Sequence, residues 1–168
     1  MRRTLDALYD GCAWLAAVFM IGVLVMVLLS VLGRQFQFHV PGTDAYAGYA
    51  MAAAGFLALA HTLKCNEHIR VTLVLGMLTG RARRGLELWS LSVAVLLSGL
   101  FAWFAVRLVW QSLEFNDIST GNDATPLWIP QLAMALGTLV LFIAIVDEWV
   151  LEARGQRQRF DGSEAHHE

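Results

Sequence analysis

Four stretches of the chain carry leucine, valine, alanine and phenylalanine almost without charge. They run over residues 12–33, 43–63, 86–106 and 127–151. A bilayer's hydrocarbon core is about 30 Å thick and a helix rises about 1.5 Å per residue, so about 20 apolar residues cross it. Each stretch meets that length. The apolar residues run continuously instead of alternating, which argues against a membrane β-barrel. The pattern predicts an all-α integral membrane protein, a four-helix bundle in a single domain over residues 1–155. A polar tail, 156–168, is expected to be disordered.

Shorter pieces flank these runs. Residues 69–78 are apolar but too few to span, so a short interfacial helix is expected between helices 2 and 3. A basic turn with Arg81, Arg83 and Arg84 follows it. Residues 2–10 are expected to lie along the surface, with Leu5, Leu8 and Tyr9 facing inward. Pro41-Gly42 marks a turn in the first outer loop. Pro126 and Pro130 suit the start of the fourth helix.

Charge sets the orientation. Ten of the twelve Lys and Arg residues fall on one side: Arg2, Arg3, Lys64, Arg70, Arg81, Arg83, Arg84, Arg154, Arg157 and Arg159. Arg34 and Arg107 fall on the other. The positive-inside rule then places both termini in the cytoplasm. Tryptophans agree, with Trp14, Trp89 and Trp149 at the inner ends and Trp110 and Trp128 at the outer ends. The first run is longer than a signal-peptide core and lacks an A-x-A-like cleavage site, so it is expected to stay as a span.

Composition narrows the function. The chain is 57% apolar and 15% charged, too greasy for a soluble surface. No basic patch interleaved with aromatics suggests nucleic acid. Cys12 and Cys65 form no disulfide framework, and Cys65 with His68 lacks two ligands of a structural zinc site. A b-type cytochrome needs histidine pairs on facing helices, whereas His61 alone lies within a run. No nucleophile or metal constellation completes His61, Glu67 and His68, so no enzyme and no cofactor are expected.

Transport by this chain alone is also disfavoured. No run carries a charge near its middle, where ion pathways and proton relays place theirs. No proline breaks a helix at mid-depth. An accessory or scaffolding subunit remains. Small residues mark packing faces: Ala45, Gly48, Ala52 and Gly55 on one side of helix 2, and Ala47, Ala50, Ala54 and Ala58 on another. Helix 3 carries Ser90, Ala94, Ser98 and Ala102. These stripes suit contacts within the chain or with a partner.

Several motifs then stand in a familiar order. Gly33-Arg34 closes helix 1, and Val40-Pro41-Gly42-Thr43-Asp44 opens helix 2. Glu67-His68-Ile69-Arg70-Val71 follows it, and Pro126-Leu127-Trp128-Ile129-Pro130 opens helix 4. In these features the chain resembles the small membrane subunit of tripartite ATP-independent periplasmic (TRAP) transporters, the DctQ-like family. It departs from the family at Glu67, Thr72 and Ala45, where a glycine and two acidic residues are common.

The resemblance implies a bacterial inner-membrane protein that scaffolds a large TRAP permease subunit. It implies uptake of an organic acid, such as a dicarboxylate or sugar acid, driven by an ion gradient and fed by a periplasmic substrate-binding protein. An accessory subunit of another membrane complex is the alternative. Interface candidates are Arg34 and Asp44, as an ion pair or a binding-protein contact, and Gly48, Ala52 and Gly55 as a packing face. His68 and Arg70 are candidates for membrane lipids or the large subunit. Glu114, Asp117 and Asp123 could meet the binding protein.

Overall fold

The computed structural model describes residues 2–38, 40–65, 80–121 and 123–154. Four helices hold most of them: α1 (Arg2–Gln35), α2 (Thr43–Lys64), α3 (Gly80–Phe115) and α4 (Trp128–Ala153). Among the described residues β pairing is confined to one bridge, Ile118 with Pro126. The all-α expectation therefore holds. α1, α3 and α4 are each long and apolar enough to cross a membrane. α2 has the length, 22 residues or about 33 Å. Its alanines, glycines and tyrosines leave it without a stretch as strongly apolar as those of the other three. The expected interfacial helix, His68, Arg70 and the tail lie outside the described residues.

The helices outrun the runs that announced them. α1 begins at Arg2 instead of residue 12, and α3 covers 36 residues instead of 86–106. Charge ends a hydrophobic run, but it does not end a helix. Backbone bonds continue through good helix formers such as Arg, Glu and Leu. The basic turn at Arg81, Arg83 and Arg84 is therefore the start of α3, and the second loop shrinks to 116–127. Residues 2–10 form the first turns of α1 instead of a separate surface piece. Tyr9 is buried and Leu5 packs beside it, as expected, whereas Leu8 stays exposed.

Packing runs α1 on α2, α2 on α4 and α4 on α3. Among the described residues α1 and α3 share no comparable seam. Within the described residues the four helices form a row with α1 and α3 at its edges. Lipid supplies no hydrophobic drive to close the ring, so helices meet where small residues let them approach. Tyr9, Cys12 and Ala16 of α1 meet Leu57 and Ala60 of α2 and Val140 and Ala144 of α4. This cluster lies near the end that carries the termini. Toward the loop end, Ala105 and Val109 of α3 pack on Ala135 of α4, with Trp128 and Met134 beside them.

The interior is rich in alanine, and the large side chains point outward. Val18, Ile21, Leu24, Val25 and Leu28 are exposed on α1, as are Leu96, Leu97, Trp103 and Phe104 on α3. Such broad apolar faces fit lipid or a membrane partner, not water. Polar side chains tie the α3–α4 seam at the termini end. Trp149 donates its indole N–H to Ser92 Oγ at 2.9 Å, and Arg84 donates to the Ala153 carbonyl at 3.1 Å.

Candidate functional site

The two small-residue stripes of α2 have different fates. Ala54 is buried and Ala47, Ala50 and Ala58 are half-buried, so this stripe packs inside the chain. Ala50 Cβ lies 3.9 Å from where a Cβ on Gly22 of α1 would stand. The other stripe faces away. Gly48, Ala52 and Gly55 are exposed, with Ala45 half-buried. Among the described residues, a Cβ added at Gly48 or Gly55 would meet nothing within 4 Å. Met51, on the same side, is 67% exposed.

At the loop end, the close of α1 and the start of α2 line a cavity of about 570 Å³. Tight turns shape it. Phe38 N–H donates to the Gly33 carbonyl at 3.0 Å. Gly42 takes φ 82°, a left-handed conformation that costs glycine little, and precedes α2 without a side-chain cap. Arg34 and Asp44 both line this cavity, but the expected ion pair between them is absent. Asp44 Oδ1 instead accepts from Ser30 Oγ at 3.1 Å. Among the described residues, Arg34 makes no ion pair.

Asp123 joins the second loop to α2. The Tyr49 hydroxyl donates to Asp123 Oδ2 at 3.0 Å and lies 3.0 Å from Ser119 Oγ. Ser119 Oγ donates to Asp123 Oδ1 at 2.8 Å and accepts from the Gly121 N–H at 3.2 Å. Desolvation would raise the Asp123 pKa. Hydrogen bonds from Ser119, Thr125, Tyr49 and its own backbone N–H outweigh it and lower the pKa to about 2. Asp123 is therefore a structural carboxylate committed to this chain. Glu114 and Asp117 remain exposed.

Sequence reasoning also missed an ionic cluster at the termini end. Lys64 Nζ stands 3.0 Å from Asp6 Oδ1 and 3.8 Å from Asp10 Oδ1. His61 Nδ1 lies 3.5 Å from the same Asp10 oxygen, and Lys64 stands over the Tyr9 ring. The acids at positions 6 and 10, one helical turn apart, were the available signal. Their partners on α2 could not be paired with them before the fold was known.

No curated protein matches the chain. Residues 23–155 match the family model described as "Tripartite ATP-independent periplasmic transporters, DctQ component". The match covers the last part of α1, from residue 23, together with the cavity, both faces of α2 and all of α3 and α4. The chain is thus a transmembrane protein that belongs to the DctQ component family of the TRAP transporters.

Proposed function

We propose that this chain scaffolds the large permease subunit of a TRAP transporter and seats it through the exposed small-residue face of α2. The reading has one four-span domain in the bacterial inner membrane, with both termini cytoplasmic. The large subunit takes up an organic acid, such as a dicarboxylate or sugar acid, driven by an ion gradient, and a periplasmic binding protein delivers it.

The observation that carries this reading is the open face at Gly48, Ala52 and Gly55. Two glycines without a neighbour among the described residues allow another backbone to approach closely, and close packing drives helix association in lipid. A fourth crossing by α2 is supported by its two ends. Gly42 approaches Asp123 at the loop end, and Lys64 reaches Asp6 and Asp10 at the termini end. A helix joining those ends traverses the same thickness as its neighbours. The central parts of all four helices lack charge, which suits a scaffold better than a solute pathway.

The test is Gly48→Leu or Gly55→Leu. Either variant should leave the isolated chain's yield and unfolding unchanged, since among the described residues nothing stands in front of either glycine. Each should lose co-purification with the large subunit and lower uptake without changing substrate preference. Undiminished co-purification, or a changed preference, would contradict the reading.

A further inference from the structure

We propose that the loop-end cavity binds the zwitterionic headgroup of a phospholipid, with the phosphate on Arg34 and the ammonium on Asp44. The inference rests on the chain being a membrane protein and not on the role of the large subunit.

Three observations lead to it. The cavity, about 570 Å³, falls within the usual size of small-ligand sites, about 300–1,000 Å³. It contains one cation and one anion that leave each other unpaired, Arg34 and Asp44. Asp44 spends one oxygen on Ser30, and the Arg34 guanidinium has no ion-pair partner among the described residues. A guanidinium is suited to grip a phosphate with two parallel hydrogen bonds.

The setting points to lipid in particular. Phe38 and Val40 line the cavity and are exposed, and Phe36, next to them in sequence, is 70% exposed. Three exposed apolar side chains at the end of a spanning helix sit where headgroups give way to acyl chains. A bound lipid could place its tails along them. A headgroup bearing only negative charge would face the Asp44 carboxylate unfavourably. An ethanolamine headgroup offers that carboxylate a cation.

The test uses the full chain purified in detergent. It is incubated with phosphatidylethanolamine, phosphatidylglycerol or soluble phosphoethanolamine, and retention is read by native mass spectrometry. Phosphatidylethanolamine should be retained over phosphatidylglycerol. Arg34→Gln should weaken its retention about tenfold, the scale of one charge-assisted contact. Arg34→Lys should lose less. Asp44→Asn, which keeps an acceptor for Ser30, should abolish the preference between the two lipids. Unchanged circular dichroism and melting of each variant separate lost binding from lost folding. Equal retention of the two lipids by the unaltered protein would overturn the proposal, as would full retention by Arg34→Gln. Equally tight binding of soluble phosphoethanolamine would make this a free-solute site instead. Loss of binding-protein docking in Arg34→Gln, with lipid retention intact, would make it a protein contact.

Discussion

Gly137 of α4 crosses α2 so closely that a Cβ added to it would lie 2.5 Å from the carbonyl oxygen of Phe56. The atoms it would meet first are backbone, so no rotamer change relieves the overlap. Gly137→Ala is therefore expected to force α2 and α4 apart and destabilise the fold by about 1–3 kcal/mol. Thermal unfolding in detergent reads this directly. Unchanged melting would show that the crossing is looser than described. The contrast with Gly48, which has open space in front of it, separates glycines that build the chain from glycines left for a partner.

Gly42 carries a second backbone constraint. Its φ of 82° strains any residue with a Cβ, and that Cβ would stand 2.9 Å from Asp123 Cβ. Gly42→Ala should cost about 1 kcal/mol or more. It should also loosen the contact between the two loops. Faster proteolysis within 116–127, with the helices still folded, is the expected signature.

The Asp123 clamp has a defined pH dependence. Its folded pKa of about 2 lies below the ordinary carboxylate value, so the folded state favours the ionised form. The contribution is fully present above the unfolded pKa, about 4. It fades as pH falls through about 2. The loop should therefore stay closed at any physiological pH. Tyr49→Phe removes one of the hydrogen bonds that hold the carboxylate and should raise its pKa. A carboxyl-carbon NMR titration of the Asp123 side chain measures both statements.

The Lys64 cluster is expected to matter less than its geometry suggests. Both Lys64 and Asp6 are more than a third exposed, and exposed ion pairs contribute about 0–1 kcal/mol. Lys64→Ala should lower stability by no more than that. The difference should shrink in high salt, where exposed charges are screened. Melting curves at low and high ionic strength decide the matter.

Much of this arrangement could be read from residue order alone. The apolar runs located each of the four described helices, and the missing mid-run charges pointed to a supporting role. Helix ends were harder, because Asp10, Arg84 and Arg107 bound an apolar run without ending backbone hydrogen bonding. Both stripes of α2 were visible, but not which one turns inward. Ala47–Ala50–Ala54–Ala58 and Ala45–Gly48–Ala52–Gly55 are nearly equivalent in residue type. Packing on Gly22 of α1 and Gly137 of α4, far away in the chain, breaks that symmetry. Tyr49 and Asp123 are 74 positions apart and share no spacing that links them. Arg34 and Asp44 were legible as a pair at one loop. Their separate engagement depends on where Ser30 stands.

Met51 lies on the open side of α2, and a photoreactive side chain placed there reports directly on what covers that side. In native membranes containing the whole transporter, illumination should join this chain to the large permease subunit through residue 51. Labelling of lipid alone, or of a second copy of the chain, would mean that the glycine face of α2 is not where the permease sits.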